Sequence, residues 1–214
     1  IHCGLVGSEM CIRDRSSTTA SIVKKSLTAS ATASNKTYNG NTTATTTLSF
    51  SGLVGSETLG QSVSSTFNNK NVGTGKTVTV NSITLSDGSN GGVASNYSIS
   101  SGQTTTANIT AKALTVSGIT ASNKTYDGNT VVTLDLTGTS YSGLVSGDDV
   151  SISASGSFDN KNVGTGKTVN ISSSYSGSDV GNYSITDQAT TTANITASVT
   201  VSYTHLRAHE TAMY

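Results

Sequence analysis

The ten residues Ala33–Thr42, ASNKTYNGNT, return at Ala121–Thr130 as ASNKTYDGNT, with one exchange of Asn for Asp. A second block, Phe67–Val78, returns at Phe158–Val169, again with one exchange of Asn for Asp. The copies lie about 90 residues apart, which is the length of a small domain, whereas one solenoid repeat has roughly 20–50 residues. The sequence therefore predicts two copies of one module in tandem.

The two predicted modules cover residues 26–111 and 112–198, which is most of the 214-residue chain. A module of this size can bury a modest core and fold alone. The stretch from Asn108 to Val116, where one module gives way to the next, contains neither Gly nor Pro. We therefore expect the last strand of the first module to run directly into the first strand of the second. A linker this short restricts hinge motion and predicts a stiff rod.

Residues 1–15 and 203–214 differ in composition from the rest of the chain. They contain every Cys, His, Met and Arg of the sequence. Both stretches resemble translated sequencing-adaptor tails, so we expect them to be artefacts and exclude them from the fold prediction. The chain is then expected to be an internal fragment, and its lack of a signal peptide carries no information on export.

Short segments with alternating apolar and polar residues recur throughout both modules. Val150, Ile152 and Ala154, for example, alternate with serines. This period of two indicates strands with one buried face, and no window shows the helical period of 3.6. Roughly six or seven such strands per module, separated by Gly, Asn, Asp and Ser, predict an all-β fold of two Ig-like antiparallel β-sandwiches. A parallel β-helix is the alternative architecture, although it favours far shorter repeats.

Two residue pairs in the repeated ten-residue block are typical of turns. Asn39-Gly40 and Asp127-Gly128 both accept positive φ, and they predict a tight hairpin in each module. The exchange of Asn for Asp between the copies suits a turn, whereas a catalytic carboxylate would not tolerate it.

Aromatic residues are few, at 5% of the chain, so those in the repeated blocks are expected to serve the cores. Phe67 and Phe158 are predicted to fill the centres of the two modules. Four tyrosines are predicted to bury their rings and keep their hydroxyl groups hydrogen-bonded at the rim. These are Tyr38, Tyr97, Tyr126 and Tyr183.

Composition argues against several classes of function. The formal net charge is zero, which gives no electrostatic basis for binding nucleic acid or an anionic membrane. No apolar run approaches the roughly 18 residues that a membrane-spanning helix needs. The modules lack Cys and His, so an activated Ser or Thr would have only Lys or a carboxylate as its base. We expect a protein that is not an enzyme and uses no cofactor.

Metal binding is likewise not expected. Cys3 and Cys11 lie near His2 in the first tail, but their spacing matches no known zinc pattern. Four acids of the second module are considered as calcium ligands, yet they lack the spacing of a calcium loop. They are predicted to be solvated loop residues: Asp148, Asp149, Asp179 and Asp187.

Lysines occupy equivalent positions in the two modules, among many asparagines. A buried lysine with a lowered pKa beside Asn and an acid could form an intramolecular amide crosslink. The alternative is that these lysines are solvated surface residues. The candidates are Lys36 and Lys124 in one pair, and Lys70 and Lys161 in the other.

The ordered blocks Asn123–Thr130, Phe158–Gly164, Asn182–Ile185 and Thr192–Thr196 resemble the YDG repeat of large bacterial surface adhesins, a family that includes filamentous-haemagglutinin-like and autotransporter-type proteins. The resemblance covers about residues 27–198. In the first copy Asn39 replaces the Asp of the name. The resemblance implies export, display on the cell surface and Ig-like stalk domains in long arrays, and it implies no catalytic residue.

These observations predict a structural stalk or spacer segment of an extracellular bacterial adhesin, which would hold a distal binding domain away from the cell. Its partners are then the neighbouring repeats of the same polypeptide. The alternative is a module that itself binds a host or cell-surface glycan or protein. Such a module should present aromatic side chains on one exposed face.

Overall fold

The computed structural model describes residues 19–199, and both predicted tails lie outside the described residues. Over this range the chain is all-β, as the alternating pattern predicts. Its helical segments are two single 3₁₀ turns, Ala94–Asn96 and Val180–Asn182. None of the helices in the described range has the length and hydropathy needed to cross a bilayer.

The first module is built from nine described strands. They are β1 (Lys25–Ser26), β2 (Thr28–Ala33), β3 (Lys36–Thr37), β4 (Thr43–Ala44), β5 (Thr46–Ser51), β6 (Leu59–Phe67), β7 (Gly73–Asp87), β8 (Tyr97–Ser98) and β9 (Thr104–Thr110).

The second module follows after the single residue Ala111. Its ten described strands are β10 (Lys112–Ser117), β11 (Thr120–Ala121), β12 (Lys124–Thr125), β13 (Val131–Val132), β14 (Leu134–Asp135), β15 (Ser140–Ser142), β16 (Ser151–Phe158), β17 (Gly164–Ser176), β18 (Tyr183–Thr186) and β19 (Thr190–Thr196).

The two modules repeat the same sheet plan. The larger sheet has five strands in the order β3-β9-β7-β6-β4 in the first module and β12-β19-β17-β16-β13 in the second. Smaller sheets pair β1 with β8 and β2 with β5, or join β15-β10-β18 and β11-β14. Every described sheet belongs to one module only, which confirms the prediction of two tandem all-β units.

The long hairpins β6–β7 and β16–β17 form the centre of each module. Their antiparallel register places Phe67 opposite Val78 and Phe158 opposite Val169. All four side chains are buried, which explains why both blocks are repeated almost unchanged. Full burial of one such side chain contributes roughly 1.5–3 kcal/mol.

Each module also contains short parallel pairs, which the sequence analysis did not predict. β3 pairs with β9 and β12 with β19, while β1 and β10 pair in parallel with β8 and β18. Alternation of apolar residues reports which face is buried but not the direction of the neighbouring strand. The Ig-like arrangement of the strands stays a prediction.

The prediction of a tight hairpin at each repeated turn is wrong. The turn after β12 leads to β13, but these strands lie at opposite edges of the five-stranded sheet and do not pair with each other. The same holds for β3 and β4 in the first module. Gly40 and Gly128 do adopt positive φ, at 80° and 83°. The turn residues were therefore identified correctly, but they close a curled sheet, not a hairpin.

The hydrophobic core is not divided at the boundary between the modules. The five-stranded sheet of the second module has its own cluster, which contains Val132, Phe158, Val169, Ala193 and Ile195. The cluster of the first module, by contrast, continues into the second: Tyr38, Phe67, Val78, Ala107 and Ile109 pack with Leu114 and Tyr183.

Candidate functional site: the junction between the modules

The most distinctive site in the described chain lies where the modules meet. β9 ends at Thr110 and β10 begins at Lys112, so one residue separates the last strand of one module from the first strand of the next. This brings the repeated turn of the first module against the loops that precede β16 and β18. We call Tyr38, Lys70, Asp148, Asp179 and Tyr183 the junction network.

Asp148 is the centre of this network. Its side chain is only 3% exposed, and it accepts hydrogen bonds from the Tyr38 hydroxyl at 2.8 Å, the Tyr183 hydroxyl at 2.5 Å and Lys70 Nζ at 3.2 Å. Burial alone would raise its pKa, but the bonds from Tyr183, Tyr38 and Lys70 outweigh it, and the pKa of Asp148 lies below its ordinary value. A carboxylate removed from water requires such donors.

Lys70 extends from the first module and lies between two carboxylates of the second. Its Nζ lies 2.8 Å from Asp179 and 3.2 Å from Asp148, and 5.9 Å from the centroid of the Tyr38 ring. The bond to Asp179, followed by those to Tyr38 and Asp148, raises the pKa of Lys70. In return Lys70 is the main cause that lowers the pKa of Asp179. Charge pairing therefore crosses the boundary between the modules.

The prediction that the acids of the second module are solvated is wrong for two of them. The Asp148 side chain is enclosed by donors, and that of Asp179 is only 12% exposed. Asp179 also accepts the backbone N–H of Asp149 at 3.1 Å, which fixes the loop that carries Asp148. Over residues 19–199 no cluster of three or more His, Cys, Asp or Glu is placed to hold a metal ion.

Two tyrosines, one from each module, meet edge to face in the junction. The ring centroids of Tyr38 and Tyr183 lie 5.5 Å apart with an interplanar angle of 76°. Burial first, and then the bond to Asp148, raises the pKa of Tyr183 to about 12 and raises that of Tyr38. Such a pair adds about 0.5–1.5 kcal/mol beyond the area it buries.

Backbone contacts close the junction around the network. The Val72 N–H donates to Asn182 Oδ1 at 2.9 Å, and Asn182 is 4% exposed. Gly40 lies against Val145 so closely that an added Cβ would come within 2.8 Å of Val145 Cγ1. Glycine is therefore required at position 40 for its positive φ and for the close approach of the second module.

A lysine clamp holds each repeated turn in place. Lys36 Nζ donates to the carbonyl oxygens of Asn41 (2.7 Å) and Thr43 (3.0 Å) and to Asn41 Oδ1 (3.0 Å). Lys124 makes the same three contacts with Asn129 and Val131, at 2.8–3.1 Å. The clamp joins the two edges of the curled sheet and thereby positions the tyrosine that precedes the turn.

The clamp also bears on the crosslink hypothesis, which stays a prediction. In the second module Asp127 joins the site, 2.7 Å from Lys124 Nζ and 2.9 Å from Asn129 Nδ2, and Lys124 is the first cause that lowers its pKa. An amide would form only from a neutral amine. Burial lowers the pKa of Lys36, which favours the neutral amine, whereas the oxygen atoms that accept hydrogen bonds from its Nζ stabilise the ammonium. In the other pair, Lys70 is engaged by carboxylates and Lys161 is exposed.

The equivalent residues at the far end of the second module are not enclosed. Tyr126 corresponds to Tyr38, yet it is 40% exposed whereas Tyr38 is 1% exposed. The prediction that Tyr126 buries its ring is therefore wrong. The physical reason is that Tyr38 is covered by Tyr183 and the loops of the next module, and no described segment covers Tyr126 in this way.

Sequence reasoning missed the junction network because its members come from different blocks. One signal was present: the segments Gly52-Leu53-Val54 and Gly143-Leu144-Val145 align, and each is followed three residues later by an acid, Glu57 or Asp148. In the first module Tyr97 donates to Glu57 and accepts the Val54 N–H at 3.1 Å. Tyr183 repeats both contacts, with Asp148 and with the Val145 N–H at 2.9 Å.

Comparison with known families and proteins agrees with this repeat structure. No curated protein and no solved structure matches the chain significantly. The family model of the YDG domain matches twice, at residues 23–107 and 110–193, which together span most of the chain. The two matches coincide with the two sheet systems on either side of the junction. The chain therefore belongs to the YDG domain family and contains two tandem copies of the domain.

Proposed function

We propose that this chain is a spacer segment of a bacterial surface adhesin, in which YDG modules are locked end to end so that a distal binding domain is held away from the cell. The junction network is the observation that carries the proposal. A chain of independent modules needs no buried contacts at its boundaries, whereas a spacer of fixed length does.

Stiffness follows from the cost of opening the junction. Bending the modules apart would leave the Asp148 carboxylate without the donors Tyr38 and Lys70, and would expose the Tyr38 ring to water. A buried polar group that loses its partners costs more free energy than the pair contributes when formed. Because Ala111 alone links the modules, little slack exists to bend without opening these contacts.

Display on the cell surface and the absence of catalysis are part of the same proposal. Their support is the resemblance of the sequence blocks to the YDG repeat of surface adhesins. In this proposal Asp148, Asp179 and Lys70 serve to hold the modules together and not to act on a substrate.

Solution scattering combined with a binding assay tests the proposal. Residues 19–199 should scatter as one elongated particle of fixed length at low and high salt, and should show no saturable binding on a glycan array or to host cells. Asp148→Ala is the matched variant, because it removes the central acceptor of the network. Saturable binding of the unmodified modules, or a length that fluctuates as much as that of Asp148→Ala, would contradict the spacer function.

A further inference from the structure

The two outer ends of the described chain resemble the two sides of the junction. In each module, the end that carries the repeated turn is called the last end, and the opposite end, where the chain enters the module, is called the first end. At the last end of the second module, Tyr126, Lys161 and Val163 stand where Tyr38, Lys70 and Val72 stand in the first module. Tyr126 is 40% and Val163 53% exposed, and Lys161 is exposed as well. This end therefore presents an aromatic ring, an apolar side chain and a cation. Their counterparts in the first module are buried or paired at the junction.

The first end of the first module carries the complementary half. Val54, Glu57, Asn96 and Tyr97 take the places of Val145, Asp148, Asn182 and Tyr183. These four side chains line a pocket of about 400 Å³, and Val54 is 51% exposed. The Tyr97–Glu57 bond, which raises the pKa of Tyr97, is already formed there, and Lys24 and Lys25 of the leading segment line the same pocket.

The residues that lead into this first end have the sequence of a closing strand. Thr19–Lys24, TASIVK, aligns with TANITA of Thr106–Ala111, and both are followed by a lysine. Ile22 then corresponds to Ile109, but Ile22 is 101% exposed and Ile109 is 1% exposed. The link into the first end thus has the length found at the junction, and within residues 19–199 no strand pairs with Ile22 in the way that β3 and β7 pair with Ile109.

We propose that the last end of the second module, formed by Tyr126, Gly128, Lys161 and Val163, is a docking surface for the first end of another YDG module. The partner is one that presents a carboxylate bonded to a tyrosine, as Glu57 with Tyr97 or Asp148 with Tyr183. This inference rests on the proposed spacer function, since it repeats the same lock at the next boundary. Lys161 would form an ion pair with the partner's carboxylate, and the Tyr126 hydroxyl would donate a hydrogen bond to the same carboxylate.

The residue that precedes the 3₁₀ turn of the partner module sets how firmly that module docks. Asp179 and Val93 both precede the single 3₁₀ turn of their modules. A first end of the second-module type therefore offers two carboxylates to Lys161, whereas one of the first-module type offers Glu57 alone beside an exposed valine. The first type should dock more firmly.

A chain extended by one module tests the proposal. A copy of residues 112–198 that carries Tyr126→Phe is joined directly after Ala197, which then occupies the place of Ala111, so that Tyr126 of the original module lies in a peptide of unique mass. Nitration of each tyrosine by tetranitromethane is followed by peptide mass spectrometry. Tyr126 should react in the original chain and be protected at least about tenfold in the extended chain, as expected if the docked form holds about nine-tenths of the molecules. Tyr38 should be protected in both.

Matched variants identify the contact responsible. Lys161→Glu lies at an exposed position, so in the original chain it should change neither the reactivity of Tyr126 nor the melting temperature. In the extended chain it should restore the reactivity of Tyr126. Extension with residues 25–111, which carry Glu57 and Val93, should protect Tyr126 less than extension with residues 112–198.

The possible outcomes separate the two proposals. If Tyr126 reacts equally in the original and extended chains while Tyr38 stays protected, the docking surface is refuted and the spacer function stands. If Tyr38 also reacts, both fail. Protection of Tyr126 that survives Lys161→Glu would overturn the carboxylate partner, because the contact would then not depend on charge.

Discussion

The turns around Tyr38 and Tyr126 differ at one residue in ten, yet their surroundings are opposite. Tyr38 is buried, packs edge to face against Tyr183 and donates a hydrogen bond to Asp148, whereas Tyr126 is 40% exposed. Both turns are held by the same lysine clamp, so local sequence gives them the same shape. The difference arises from the neighbouring module. At the junction of this chain, the repeated motif of the first module builds half of an interface, and the next module supplies the other half.

Removing each of the two tyrosine rings in turn should reveal the largest difference between the two turns. Tyr38→Ala should destabilise the protein by roughly 3–5 kcal/mol, because it empties a buried position in the shared cluster. Tyr126→Ala should cost less than about 1 kcal/mol, because its ring lies largely at the surface. The free energy of unfolding from urea titration measures both. Equal losses would mean that the junction adds nothing to the burial of Tyr38.

The two turn glycines offer a second matched pair. Gly40→Ala and Gly128→Ala both place an alanine at positive φ, at a cost of about 1–2 kcal/mol. Gly40→Ala also meets Val145 Cγ1 at 2.8 Å, whereas an added Cβ at Gly128 has no heavy atom within 4 Å. We expect an additional loss of roughly 1–3 kcal/mol for Gly40→Ala. Thermal unfolding of both variants side by side checks the difference, and identical melting temperatures would contradict the close contact.

The stability of the junction should decrease at both low and high pH. The lowered pKa of Asp148 and of Asp179 means that their contributions are complete above the ordinary Asp value near pH 4 and are lost as the pH falls through the lowered values. Tyr183, with its pKa raised to about 12, contributes fully below about pH 10 and loses its effect as the pH rises to 12. Scattering should therefore report an unchanged length from about pH 5 to 9.

Asp148→Asn sharpens this test. Removing the carboxylate should bring the pKa of Tyr183 back toward its ordinary value, since the bond to Asp148 is one of the causes that raise it. Absorbance titration of the tyrosines detects the change. A flexing of the unmodified chain already at pH 6 would show that groups other than these acids control the junction.

The smallest effect is expected in the covalent chemistry of the two clamps. Only the second clamp includes an acid, Asp127, because Asn39 occupies that place in the first. With each ammonium shared among three oxygen atoms, we expect an intact mass equal to that of the unmodified sequence. A mass lower by one ammonia, abolished by Lys124→Arg but not by Lys36→Arg, would instead establish a crosslink in the second module.

Much of the fold was predictable because it depends on local patterns. The repeated blocks established two modules, alternation established strands, and Asn39-Gly40 and Asp127-Gly128 marked positions of positive φ. Strand pairing was harder, since the partner of β12 is the distant strand β19 and no local pattern specifies it. For the same reason the turn was taken for a hairpin.

The junction network was not predictable from the repeats alone. Lys70 and Asp148 are 78 residues apart in sequence, and their contact requires knowing how one module sits on the next. Asp148 and Asp179 resemble solvated loop acids in the sequence, because part of their enclosure is supplied by Lys70, and for Asp148 also by Tyr38, from the other module. Comparing residues that align but differ between the two copies, such as Glu57 with Asp148, would have directed attention to the end of the second module that forms the junction.

The distance between the modules tests the central claim most directly. Spin labels at the exposed, equivalent positions Ser62 and Ser153, in a chain with Cys3 and Cys11 replaced by serine, report this distance by double electron–electron resonance. A locked junction predicts one narrow distribution in the unmodified chain and a broad one in Tyr38→Ala. A broad distribution in the unmodified chain, unchanged by Tyr38→Ala, would contradict it.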